Sequence, residues 1–155
     1  MKSKIKSGRE IAGLARRLKV SRKKIVLATG CFDILHSGHI DFLRRAKNLG
    51  DVLIVGANSD ASVKKIKGPP RPIVKEKLRL ANLASLVYVN FACSFKETDP
   101  TKLILAIRPD VFVKGGDWKN KSLPENKAIY SVGGKVVFLP FKIKISTSDY
   151  VHSKG

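Results

Sequence analysis

Short apolar runs rich in β-branched residues recur along the chain at 25–29, 52–58, 86–91, 111–114 and 135–140, and stretches with helical spacing lie between them. Apolar runs alternating with helices predict parallel strands buried on both faces. The segment "HIDFLRRAKNLGD" puts Ile40, Leu43, Ala46 and Lys47 on one helical face and predicts a helix stopped at Gly50. "KEKLRLANLASL" and "DPTKLILAIRPD" predict the next two helices, the second entered through Asp99-Pro100 and ended before Pro109. The fold class that follows is α/β, a doubly wound, five-stranded parallel sheet of Rossmann-like design. Such sheets bind ligands beyond the carboxyl ends of their strands, where the strand order reverses.

Composition adds a charge to this picture. The 155 residues include 31 Lys or Arg and 12 Asp or Glu, a formal net charge of +19, which implies polyanionic company. Residues 1–24 hold ten of the basic residues and one acid, and "REIAGLARRLKV" is apolar at Ile11, Leu14, Ala15 and Leu18. This predicts a basic amphipathic helix, read as an N-terminal extension (1–24) ahead of one main domain (25–155) and dispensable for chemistry. A solvated helix face is favoured there over a nucleic-acid arm. No apolar run approaches a membrane span, and the N-terminus lacks the apolar core of a secretory signal, so a cytoplasmic location is expected. Cys31 and Cys93 have no metal or CxxC spacing and are expected as free thiols.

The loop after the first predicted strand, "TGCFDILHSGH", holds two of the three histidines, His36 and His39. It has neither the G-x-G-x-x-G fingerprint nor a P-loop ending. A helix starting near His36 or Ser37 would bring both imidazoles to its first turn, where free backbone N–H groups and the positive dipole end attract an anion. Gly38 between them would let a phosphate approach the backbone closely. The competing readings are a histidine helix cap and a zinc site. Zinc is disfavoured, because the third histidine is the distant His152 and neither cysteine is at ligand spacing.

The stretch resembles the H-x-G-H signature of the nucleotidyltransferase superfamily. Four segments, "GCFDILHSGH", "LGDVLIVGANSDASVKKIKGPPRP", "FKETDPTKLILAIRPDVFVKGGDW" and "GGKVVFLPF" followed by "IST", are together similar to the D-glycero-β-D-manno-heptose 1-phosphate adenylyltransferases. The resemblance implies a nucleotidyltransferase fold and the transfer of AMP from ATP to a sugar 1-phosphate with release of pyrophosphate. It implies catalytic roles for His36, His39 and Lys67, with Lys65 as a substitute for the last. Gly30, Cys31, Phe32, Gly38, Arg79, Ser146 and Thr147 would hold the nucleotide, although an ordinary helix-surface arginine is a rival reading of Arg79. Asp33, Asp117 and Trp118 would hold the sugar phosphate. Mg²⁺ is expected to arrive with ATP, held by phosphates and water, so no protein ligand is named. Nucleic acid and membrane are not expected as partners, and self-association is left open. Two alternatives stand beside this reading. One is a cytidylyltransferase forming CDP-glycerol or a CDP-amino alcohol, against which the missing Arg-Thr-Glu-Gly before "IST" counts; the other is a non-catalytic protein that binds nucleic acid.

Overall fold

A computed structural model describes residues 3–115 and 123–140. Strands β1 (Ile25–Gly30), β2 (Val52–Asn58), β3 (Phe91–Phe95), β4 (Val111–Gly115) and β5 (Lys135–Leu139) form one parallel sheet in the order β3-β2-β1-β4-β5. Helices α1 (Gly8–Val20), α2 (Ser37–Lys47), α3 (Asp60–Lys67), α4 (Glu76–Ala84), α5 (Thr101–Ile107) and α6 (Pro124–Ser131) accompany it. The chain moves outward from β1 to β3, then returns to place β4 on the other side of β1. The order therefore reverses between β1 and β4, as a doubly wound sheet requires.

Two cores result from the alternation of side chains along each strand. Val26 and Ala28 of β1 pack with Phe42, Leu43 and Ala46 of α2 and Leu80 and Leu83 of α4. Ile25 and Leu27 face the other way, toward Ile11 and Ala15 of α1, Leu103, Ile104 and Ile107 of α5, and Ile129 of α6. Burial on both faces explains why these strands read as continuous apolar runs.

Three expectations need correction. The third strand starts only at Phe91, the last residue of the 86–91 run, and continues to Phe95. That run leaves α4 through a turn, with Val87 80% exposed, and Asn90 is what locks the edge: its backbone N–H donates to Leu53 O at 3.0 Å and its side-chain oxygen accepts from Leu53 N at 2.8 Å. The first 24 residues are not an appendage. Ile11 and Ala15 are core residues, and Lys4 and Lys6 pair with the free edge of β3, through Ala92 N to Lys4 O and Lys6 N to Ala92 O, both 2.9 Å. Gly50 is not a left-handed stop to α2, which ends at Lys47 with Asn48 as its cap. It is needed because a Cβ there would come 2.7 Å from Val26 Cγ2 and 2.8 Å from Lys24 O.

Candidate active site

The β1–α2 loop carries the two histidines to the carboxyl end of β1, at the reversal point. His36 is the N-cap of α2, and its Nδ1 accepts from Gly38 N at 3.1 Å and His39 N at 3.3 Å. His39 Nδ1 in turn accepts from His36 N at 3.4 Å, so the two imidazoles form a reciprocal capping box. The rings stack at 3.7 Å between centroids and 19° between planes. The cap reading and the chemical reading thus describe the same atoms. Because each Nδ1 accepts, each neutral ring carries its proton on Nε2, the nitrogen turned away from the helix backbone. The N–H groups of Gly38 and His39, which the sequence suggested were free for an anion, are spent on the cap.

Phe32 backs this pair. It sits at φ 46, a left-handed backbone that a bulky residue adopts only where its surroundings hold it there. Its ring meets His39 edge to face at 5.3 Å, and a Cβ on Gly30 would come 3.2 Å from the same ring. This apolar wall partly covers His39, and the resulting desolvation, helped by the neighbouring His36, pushes its pKa down to about 4. At neutral pH His39 is an uncharged donor.

A buried knot of charge ties this loop to the segment between β2 and α4. Arg79 is fully buried, with Nε donating to Val74 O at 2.9 Å, Nη1 to Cys31 O and Asn58 O at 2.7 Å each, and Nη2 to Asp60 Oδ1 at 2.8 Å. It is therefore no helix-surface arginine, and four of its five N–H groups end on protein rather than facing an open phosphate site. Asp33 is 1% exposed and accepts from Arg71 Nε at 2.7 Å, Ile73 N at 2.9 Å and Val74 N at 2.8 Å. Burial alone would raise its pKa, but these donors, led by Val74 and Ile73, outweigh it and hold the carboxyl below its usual range. Asp33, expected against the sugar phosphate, is consumed in anchoring residues 71–74.

Lys67 is the last, exposed residue of α3, followed by Gly68 at φ 79. Burial pushes the Cys31 thiol upward, while the positive charges of Lys67, Arg79 and Arg71 oppose that rise, so all three cations lie within electrostatic reach of the first loop. Lys65 is exposed on the same helix. His36, His39, Gly30, Cys31, Phe32, Asp33, Gly38 and Arg79 are brought together, with Lys67 at their border. Asp117, Trp118, Ser146 and Thr147 lie outside the described residues. Sequence reading missed Asp60, Asn58 and Arg71 as builders of the site. Asp60 had a signal, an acid opening a helix behind the Ser59 cap in "NSDAS"; Arg71 had only its place between two prolines.

A parallel sheet reversing at β1/β4, with an H-x-G-H capping box at that point, defines a domain of the nucleotidyltransferase class. The cytidylyltransferase-like family profile matches residues 27–153, and the chain belongs to that family. It is 54% identical over 110 residues to the bifunctional protein HldE of Helicobacter pylori, covering 71% of this chain and 24% of that protein. It is 47% identical over 148 residues to the bifunctional protein HldE of Campylobacter jejuni subsp. doylei, covering 96% of this chain and 31% of that one. The chain thus spans less than a third of the length of these relatives. Among solved structures it resembles a lipopolysaccharide core biosynthesis protein from Thermoplasma volcanium, with TM-score 0.65 and 34% identity over 79% of this chain and 99% of that one. The pantoate-β-alanine ligase of Francisella tularensis, at TM-score 0.68 and 14% identity over 97% of this chain and 73% of that one, shares the fold.

Proposed function

We propose that this domain transfers AMP from ATP to D-glycero-β-D-manno-heptose 1-phosphate, giving ADP-heptose and pyrophosphate. The observation that carries the reading is the stacked imidazole pair, whose Nδ1 atoms are fixed on the α2 backbone so that both Nε2–H groups serve as prepared donors. In the reaction an anionic oxygen of the sugar phosphate attacks the α-phosphorus of ATP, and the bond from that phosphorus to the bridging oxygen breaks as pyrophosphate departs. The attacking oxygen is already ionised, so the protein supplies no base. Its task is to bring two anions together and stabilise charge on the phosphorus oxygens. His36 and His39 donate to those oxygens, and Lys67 reaches them from the end of α3. ATP enters as its magnesium complex, the ion held by phosphate oxygens and water. Asp117 and Trp118, after β4, would receive the sugar, and Ser146 and Thr147 would close on the nucleotide. The choice of heptose rests on the four quoted segments together with the HldE relatives and the lipopolysaccharide core biosynthesis neighbour.

The test is pyrophosphate release from each of the four NTPs against a panel of sugar and polyol phosphates. ATP with the heptose 1-phosphate should give the highest kcat/KM. Faster turnover of CTP with glycerol 3-phosphate would overturn the proposal in favour of a cytidylyltransferase.

A further inference from the structure

Lys114 is one residue from the carboxyl end of β4, the strand that borders β1 at the reversal point. The register pairs Ala28 with Val113, which sets Lys114 beside the end of β1. It shares a sheet face with Phe112, a member of the core under α1, α5 and α6, whereas the histidines belong to α2 on the opposite face. Its ammonium pairs with Glu125 in the first turn of α6 and lies 4.8 Å from the centre of the Phe112 ring. Only 11% of the Lys114 side chain and 7% of the Glu125 side chain are exposed. An ion pair buried this deeply is a poor stabiliser compared with apolar residues of similar volume, so stability alone gives little reason for it. Its location supplies another. In a doubly wound sheet the crevice between the two strands flanking the reversal receives the nucleotide, and Lys114 is the cation that β4 itself delivers to that end.

We propose that Lys114 is a further nucleotide-contacting residue, its ammonium shared between Glu125 and an oxygen of the bound ATP. This rests on the nucleotidyltransferase reading. Glu125, fixed by the N-terminus of α6, acts as a positioning residue that keeps the long lysine side chain from collapsing away from the crevice.

The experiment measures ATP binding directly by calorimetry on the full chain, alongside KM for each substrate and the melting temperature. Lys114→Gln should weaken ATP binding and raise its KM by about tenfold, the loss expected of one charged hydrogen bond, with KM for the sugar phosphate changed less than about twofold. The exchanged pair Lys114→Glu with Glu125→Lys should recover melting temperature without recovering ATP affinity, and Lys114→Arg should recover part of both. Normal ATP affinity in folded Lys114→Gln, a defect confined to the sugar phosphate, or full recovery of ATP affinity by the exchanged pair would each overturn the inference. Should Lys114→Gln not fold, the exchanged pair decides. A wild-type chain that binds no nucleotide would instead bring down the nucleotidyltransferase reading, and this inference with it.

Discussion

On the proposed mechanism His36 and His39 each perform two tasks, helix capping and donation to phosphate, and substitutions separate them. Loss of one transition-state donor lowers turnover by about 10²- to 10³-fold, which is the expected result for either residue changed to alanine. His36→Ala also removes the acceptor for two N–H groups of α2, so its folded state should lose about 1 kcal/mol in a denaturation experiment. Near-normal turnover in both folded variants would sink the mechanism. The proton linkage of His39 gives a second check. Its folded pKa of about 4 lies below the ordinary 6.5, so between those values the unfolded chain binds more protons and stability falls as the pH is lowered. Above about pH 6.5 the ring is neutral in both states and contributes no slope. Replacing His39 with Gln should flatten the denaturation midpoint between pH 6.5 and 4. An unchanged slope would mean that other groups produce it. The wall that depresses this pKa was not legible in the sequence, since nothing in "GCFD" announces the left-handed turn that folds Phe32 against the ring.

Elements whose burial is two-sided were read well, and those that depend on single polar contacts were not. β2 was expected at 52–58 and is Val52–Asn58, because a run buried on both faces has only one length that fits. The third strand was misplaced by five residues because Leu86, Val87 and Val89 look like strand residues, whereas the start of pairing is decided by the Asn90 hydrogen bonds to Leu53. The amphipathic face of α1 was legible, but its destination was not. Periodicity tells which side of a helix is apolar and nothing about which core receives it. Packing of Ile11 and Ala15 in the core and pairing along the edge of β3 give the first 24 residues a part in stability, and the expectation that they are dispensable for chemistry becomes a prediction. Deleting residues 1–7 removes the pairing of Lys4 and Lys6 with Ala92 and the Ser7–Glu10 capping box, and it should lower the melting temperature. Kinetic constants of the folded fraction should stay unchanged. Ile11→Ala should cost about 2–5 kcal/mol by opening a cavity beneath β1. A truncated chain that melts like the full one would show that the edge of β3 needs no cover.

At the scale of the whole molecule, positive charge among the described residues gathers at both ends of the sheet. The site end of the sheet carries the histidines, Lys67 and the buried Arg79, while Lys19, Arg22, Lys23 and Lys24 surround Asp110 at the amino ends of β1 and β4. Six residues of β1 separate the two ends by about 20 Å, more than two Debye lengths at physiological ionic strength. The net charge of +19 favours anionic substrates in general, but on the proposed reading the cations at the amino end should not act on a nucleotide bound at the other. Arg22→Asn with Lys23→Ser and Lys24→Ser removes three of them, asparagine being chosen because residue 22 sits at φ 58. At about 0.15 M salt this variant should keep KM for ATP within about twofold of wild type. Raising salt to about 0.5 M should increase KM in both proteins alike, because the screened charges are those of the site itself. A tenfold rise in KM for the triple variant at about 0.15 M salt would place the attraction for nucleotide in the basic amino-terminal segment and contradict the assignment of the carboxyl end.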